Sequence, residues 1–172
     1  MDDEKFAVAL QYCNCVTICY GTVIRTTDGV PHISGPDLAS VAYGQGWVSG
    51  EDHGCTLIDQ IDKVYGRRSE VLGPGSDGEN VESDFAWRAI DIVGVATADY
   101  DNAAPEVVEQ FGAFAEGWND QLIETGPDGL TGWCSDTDWV RPIQPVEVAA
   151  GIYMLAGQGG NIGVAVGEDG VF

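Results

Sequence analysis

Extended and helical patterns of apolar residues divide this chain into an N-terminal strand region and a longer helical region. Residues 6–24 are rich in Val, Ile, Thr, Tyr and Cys, which favour extended structure, and predict one or two strands. Asp28 and Gly29 indicate a turn, after which residues 30–33 return as an extended segment with Pro31 at an edge. The chain therefore begins with a predicted strand pair.

The first predicted helix follows at once. Ser34 is expected to cap it, with Pro36 and Asp37 in its first turn. Three glycines then interrupt the helical pattern, which indicates either close packing against a neighbour or a break between two helices: Gly44, Gly46 and Gly50. Glu51 and Asp52 suit the positive N-terminal end of a second helix, which Gly66 is expected to end.

Three further segments have helical periodicity. Residues 81–100 and 145–155 are both predicted helices, the latter opened by Pro145. Residues 105–122 form the clearest helix of the chain, with one apolar stripe made of Val107, Phe111, Phe114, Trp118 and Leu122. The pattern predicts an α+β fold, mostly helical with N-terminal strands. Residues 1–160 are expected to form the domain, and residues 161–172 a glycine-rich tail or linker remnant.

Charge narrows the set of partners. Twenty-eight acidic residues face seven basic ones, giving a formal net charge of −21. A surface this acidic repels phosphate backbones and anionic lipids, so neither nucleic acid nor membrane is expected as a partner. The apolar runs are also shorter than the roughly 18 residues of a membrane helix.

The cysteines and the N-terminus leave the cellular compartment open. The count of five cysteines is odd, and no spacing fits a zinc site; three of them, Cys13, Cys15 and Cys19, lie in a predicted strand. The first ten residues lack the basic flank and long apolar run of a secretion signal. Either a signal has been removed or there never was one.

Few residues suggest chemistry of their own. Residues 73–78 fit G-x-G-x-x-G, but no strand leads into them, so a surface loop is expected. The paired carboxylates at 99–101 and 136–138 are expected in turns or helix caps, and no metal site is predicted. Cys55 with His53 could form a nucleophile pair, yet Cys55 lies on the apolar side of a predicted helix, which favours a buried thiol.

Four segments, in this order, resemble the alpha chain of penicillin acylase-family N-terminal-nucleophile hydrolases, in the branch of the acyl-homoserine-lactone and aculeacin-type acylases. They are residues 23–33, ending in Gly-Val-Pro-His-Ile; residues 38–73; residues 111–119, reading FGAFAEGWN; and residues 138–149, reading DWVRPIQPVEVA. The resemblance implies a chain that a beta chain completes into an αββα sandwich. It also implies a heterodimer made by autoprocessing of one precursor, with the Ser nucleophile at the N-terminus of the beta chain and no catalytic residue here.

The resemblance also implies a small N-acyl substrate. It places part of the acyl pocket at the end of the helix after the W-x-P element, which gives four substrate-binding candidates: Tyr153, Met154, Ala156 and Gly160. Glycines in this region leave volume for an aliphatic acyl chain. No cofactor is expected; some relatives bind calcium nearby, but Glu168 does not align cleanly with their ligand. Family resemblance favours a periplasmic or extracellular location.

A different class of function stays open. The chain could be a free-standing acidic domain that binds a partner, or an orphan fragment without enzymatic activity. If the alpha-chain interpretation holds, the chain alone should expose an apolar face that beta covers, either that of Phe111, Phe114 and Trp118 or that of Leu57 and Ile61.

Overall fold

The computed structural model describes residues 6–10, 21–126, 132–135, 137–155, 166–167 and 170–171, and side chains for 21–126, 132–135 and 137–151. The strands are β1 (Phe6–Leu10), β2 (Gly21–Arg25), β3 (Pro31–Ser34), β4 (Val166–Gly167) and β5 (Gly170–Val171). The helices are α1 (Leu38–Val64), α2 (Arg68–Leu72), α3 (Glu79–Ile90), α4 (Ile92–Asp101), α5 (Pro105–Thr125) and α6 (Pro145–Leu155). The prediction of a mostly helical chain with N-terminal strands is confirmed.

The N-terminal strands form an antiparallel sheet in the order β1-β2-β3. Val23 lies opposite Val8 on one side and Ile33 on the other. Pro31 opens the edge strand β3, where its missing N–H breaks no inner ladder bond. The predicted turn is present, since Gly29 adopts φ 82° and donates its N–H to the carbonyl of Thr26. Residues 11–20, with three of the cysteines, lie outside the described residues.

Helix α1 begins later than predicted and bends once. Its N-cap is Asp37, whose carboxylate accepts the N–H of Ser40 at 2.7 Å, so the assignment of the cap to Ser34 was wrong. Asp is a strong N-cap because its oxygen satisfies an N–H that the helix leaves unpaired. The predicted break is a kink at His53, with φ −137° and ψ 22°. The helix ends at Val64, and Gly66 follows with φ 62°.

The glycines of α1 serve close packing as well, because α1 and α5 cross almost backbone to backbone. A Cβ on Gly46 would lie 2.0 Å from the carbonyl oxygen of Phe114, and one on Gly117 would lie 2.0 Å from that of Tyr43. Both alternatives predicted for the glycines of α1 are therefore confirmed. On α5, Trp118 is fully buried.

The exposed apolar residues differ from those expected. Trp118 and Ile61 are buried, while Leu57, Phe111 and Phe114 are partly buried against the core, because α1, α5 and α6 cover one another. The expectation that one of these faces is exposed was wrong. Phe85 on α3 and Ile123 on α5 are instead the most exposed large apolar side chains of the part described, at 77% and 76%.

The segment predicted as one helix over residues 81–100 is two helices. Asp91 between α3 and α4 has φ 56°, a left-handed conformation that no α-helix continues through. The short helix α2 was not predicted. No helix among the described residues has the length and apolar character needed to cross a bilayer.

Candidate functional site

The substrate-binding candidates belong to the end of α6 and to the residues after it. Tyr153 and Met154 lie in the last turns of α6, although their side chains are outside the described residues. Ala156 and Gly160 are outside the described residues altogether. The structure therefore does not test these contacts, but it does show what fixes the start of the helix that carries two of them.

Glu147 is the third residue of α6. Its carboxylate both caps the helix and forms an ion pair with Arg141. One of its oxygens accepts the N–H of Gln144, the residue before the helix, at 2.8 Å. A glutamate at this position satisfies an N–H that the helix leaves unpaired and suits the positive end of the helix dipole. Both oxygens also accept from the guanidinium of Arg141, at 3.0 and 2.8 Å. Glu147 is only 5% exposed, so this pairing is largely removed from water.

Asp62 and Arg67 extend the pairing to the end of α1. One oxygen of Asp62 accepts from Arg67 at 2.9 Å and from Arg141 at 3.2 Å, and Arg67 also donates to Glu147 at 3.2 Å. We call Asp62, Arg67, Arg141 and Glu147 the α6 ion-pair cluster. Its two carboxylates and two guanidiniums balance in charge, which a buried group of ions requires.

The two acids of the cluster are the most buried members. Asp62 is 2% exposed, and its second oxygen has no hydrogen-bond partner among the described residues, as is also true of Nε of Arg67. The guanidinium of Arg67 stacks over the ring of Tyr65, 4.8 Å from its centre. Arginine suits this position because its flat, forked cation can stack and donate to two acids at once.

The connector into α6 is fixed from α5 as well. The side-chain amide of Asn119 donates to the carbonyl of Ile143 at 3.0 Å and accepts its N–H at 2.8 Å. The indole of Trp118 donates to the carbonyl of Arg141 at 3.2 Å. The connector into α6 is thus bonded to α1 by the ion pair of Arg141 with Asp62 and to α5 by amide and indole groups.

The electrostatics of Glu147 follow from this geometry. Burial alone would raise its pKa, but the hydrogen bonds from Arg141 and Gln144, with the nearby charges of both arginines, outweigh burial and lower it. Burial, with a smaller contribution from Glu147, raises the pKa of Tyr65. Glu147 is therefore held as a carboxylate throughout the neutral range.

The candidate nucleophile Cys55 is a disulfide partner of Cys134. A disulfide sulfur offers no thiolate, so both the predicted Cys-His pair and the predicted free thiol were wrong. His53 lies exposed at the kink of α1, whereas Cys55 and Cys134 are 4% and 0% exposed. Sequence spacing could not reveal this bond, because the two cysteines are 79 residues apart.

The remaining motifs behave as local structure. In the loop of residues 73–78, Ser76 and Asp77 donate their N–H groups to the carboxylate of Glu79, so an internal anion already occupies these donors. Asn102 caps the end of α4, next to the predicted carboxylate pair. Within the part described, no three His, Cys, Asp or Glu residues lie together as a metal site would require.

Comparison with known proteins places the chain. Its fold is similar to that of a thermostable penicillin G acylase from Alcaligenes faecalis, with a TM-score of 0.70 and 22% identity over 77% of this chain and 70% of that one. A model of the Penicillin amidase family matches residues 21–162. The chain belongs to the penicillin amidase family.

Two curated relatives carry acylase names. The chain is 29% identical over 139 residues to the acyl-homoserine lactone acylase PvdQ of Pseudomonas putida, which covers 78% of this chain. It is 32% identical over 138 residues to the aculeacin-A acylase of Actinoplanes utahensis, which covers 75% of this chain. In both cases the match covers 18% of the relative, so this chain corresponds to less than a fifth of their length. The matched penicillin G acylase chain, by contrast, is close to this one in length, since 77% of one corresponds to 70% of the other.

Proposed function

We propose that this chain is the non-catalytic alpha part of an amidohydrolase that cleaves the amide bond of N-acyl compounds. The observation that carries the proposal is the family match over residues 21–162, shared with relatives that are named acylases. The alpha role is supported by the four segments that resemble the family's alpha chain in order, residues 23–33, 38–73, 111–119 and 138–149. The proposed partner is a larger beta chain that completes the αββα sandwich.

The proposed reaction takes place on the partner. The hydroxyl of its N-terminal Ser attacks the amide carbon, and the terminal amine accepts the hydroxyl proton, since its pKa near 8 suits neutral pH. The oxyanion that forms is held by hydrogen-bond donors, the amine product leaves, and water then hydrolyses the acyl ester. No cofactor takes part in the proposed reaction.

This chain would contribute to the acyl pocket. The proposed contacts are those of α6 and the residues after it: Tyr153, Met154, Ala156 and Gly160. The small residues Ala156, Gly157, Gly159 and Gly160 favour an aliphatic acyl group over a bulky ring, because a pocket accepts a longer chain where side chains leave volume. Fatty N-acyl compounds, such as acyl-homoserine lactones or lipopeptides, are the proposed substrates.

Purification from the native source with mass spectrometry tests the alpha role. A larger chain that begins with Ser should co-purify with this one. The complex should release free amine from N-acyl-homoserine lactones of increasing acyl length, followed with an amine-reactive fluorophore. The matched control is a complex in which the partner's N-terminal Ser is replaced by Ala, which should assemble and release no amine. A stable monomer without a companion would contradict the proposal and favour the free-standing acidic domain.

A further inference from the structure

The arginines of this chain join its elements and leave few cations for the remaining acids. All five arginines form ion pairs with carboxylates, and six carboxylates take part in these pairs: Glu51, Asp52, Asp59, Asp62, Glu70 and Glu147. The whole chain has 28 acidic residues, and besides the arginines its basic residues are two lysines, Lys5 and Lys63. Within the part of the chain that the structure describes, most acids therefore lie outside these ion pairs.

Helix α5 shows this excess of acids most clearly. It contains five acidic residues and no Lys, Arg or His. Three of the acids follow one another at four-residue spacing, and we call Glu116, Asp120 and Glu124 the α5 acid row. The hydroxyl of Tyr43 donates to Asp120 at 2.9 Å, but no cation among the described residues forms an ion pair with any member of the row. Like charges at this spacing are neighbours on a helix surface and destabilise it.

The charges of the α5 acid row already act on the groups around them. Burial, and then the charge of Asp120, raise the pKa of Glu116, so ionisation of Glu116 opposes folding. The pKa of Tyr43 is raised as well, first by burial, then by its hydrogen bond to Asp120 and by the charges of all three members. Glu116 and Asp120 are half-buried, whereas Glu124 is exposed. The row is therefore a source of repulsion within the folded chain.

Salt acts differently on this repulsion and on the arginine pairs. Neighbouring members of the row are about 6 Å apart along the helix axis, at 1.5 Å per residue. The Debye length is ~10 Å at 0.1 M salt but ~3 Å at 1 M, so molar salt screens the repulsion and dilute salt does not. The carboxylates of Asp59, Asp62 and Glu147 belong to residues that are 7%, 2% and 5% exposed, and buried pairs are screened less. Added salt therefore removes repulsion while the pairs that join the elements persist.

We propose that this chain is adapted to remain folded in molar monovalent salt and is least stable in dilute salt. A net charge of −21 destabilises a compact chain through self-repulsion unless ions screen it, and the α5 acid row is one place where that repulsion is built into the fold. This salt dependence goes beyond the proposed function, because it follows from the charges of the chain and not from the reaction.

The test is thermal unfolding of the full chain, with any partner that co-purifies, followed by circular dichroism at neutral pH. The KCl concentration is raised from about 0.1 M to about 2 M, which takes the Debye length from above the spacing of the row to below it. The wild type is compared with the double variant Glu116→Gln with Glu124→Gln. This variant removes both like-charge neighbours of Asp120 and leaves the bond from Tyr43 in place.

A second double variant, Asp52→Asn with Glu70→Gln, is the matched control. It changes the net charge by the same amount, but it removes carboxylates that pair with Arg25 and Arg88. Its Tm at low salt should therefore equal the wild-type Tm or lie below it. Any stabilisation that comes from net charge alone would be the same in the two double variants.

We expect the wild-type Tm to rise by about 5 °C or more over this range, because the two like-charge contacts of the row alone are worth roughly 2–4 °C and the row holds only three of the 28 acids. The row variant should start about 2–4 °C above the wild type at low salt and gain correspondingly less from KCl.

Three results would overturn the inference. The first is a wild-type Tm that stays flat or falls as KCl increases. The second is an equal gain for the wild type and the row variant, because such a gain would not come from screening of the row. The third is a chain that depends on salt alone but not in a complex with its partner, since the acids would then face cations of that partner.

Discussion

The disulfide between Cys55 and Cys134 makes the most direct test of the structure. It joins the second half of α1 to the connector that follows α5, and the sulfur of Cys55 also accepts the N–H of Cys134 at 3.0 Å. Both residues pack with Leu122 in one buried cluster. The perturbation we propose is the double variant Cys55→Ala with Cys134→Ala, which removes the bond without leaving a single reactive thiol.

The expected loss of unfolding free energy can be calculated from the separation of 79 residues between the two cysteines. A cross-link that closes a loop of this length removes chain entropy worth about 4.5 kcal/mol at 25 °C from the unfolded state. For a chain of this size, that change corresponds to a fall in Tm of roughly 9–18 °C. Equilibrium urea unfolding of the full chain, with any partner that co-purifies, measures the difference in the free energy of unfolding.

Wild-type protein unfolded and refolded in reductant serves as the matched control. It lacks the cross-link but keeps both sulfurs, so it separates the entropy of the bond from the packing lost in the alanine variant. Reductant should have no further effect on the stability of the double variant. This control shows that the three other cysteines do not contribute to the measured loss. A loss of less than about 1 kcal/mol in both the variant and the reduced wild type would refute the reasoning.

Three further expectations follow from packing and charge. Gly46→Ala should lower the free energy of unfolding by about 3 kcal/mol or more in urea titrations, because its Cβ would overlap a backbone carbonyl; Gly112→Ala on α5, with open space at its Cβ, should raise it by about 0.5–1 kcal/mol. The folded-state pKa of Glu147 lies below its unfolded value, so ionised Glu147 stabilises the fold above pH ~4.5, and this stabilisation is lost as pH falls towards the folded pKa. Glu147→Gln should therefore flatten that part of the stability–pH curve, and an unchanged slope would contradict this. Burial, and then the charge of Asp120, raise the pKa of Glu116, so ionised Glu116 destabilises the fold, and Glu116→Gln should raise Tm at pH 7 more than at pH 4.

Features set by neighbouring residues were largely predictable from sequence. Helix α5, the Pro145 start of α6 and the turn at Gly29 each depend on a few adjacent residues, and each is present; of the predicted stripe, Trp118 and Leu122 are buried, whereas Val107 is exposed. The start of α1 was missed because Ser34 and Asp37 are both good N-caps, and only the fold decides which one faces the open N–H groups. The error arose because two nearby residues carry the same N-cap signal.

The candidate site was predictable only where it follows the family pattern. The cluster joins residues 62 and 67 to residues 141 and 147, and no periodicity links positions so far apart. Asp91 gave no signal either, since nothing in its neighbours distinguishes one long helix from two helices joined by a left-handed residue. The disulfide depends on the same kind of long-range proximity. Contacts of this kind are properties of the packed chain rather than of any segment.

The use of arginine connects the acidity of the chain to its architecture. With 28 acids against seven bases, cations are scarce, yet each of the five arginines pairs with a carboxylate: Arg25, Arg67, Arg68, Arg88 and Arg141. These pairs join the sheet to α1, the end of α1 to α6, and α2 to its neighbours. The pairs of Asp59, Asp62 and Glu147 have a buried carboxylate and are weakly screened by salt, whereas the exposed Arg88–Glu70 pair and the repulsion among exposed acids are screened strongly. A chain with this charge distribution can keep a strongly acidic exterior and still hold its helices by charge, because its cations lie where elements meet.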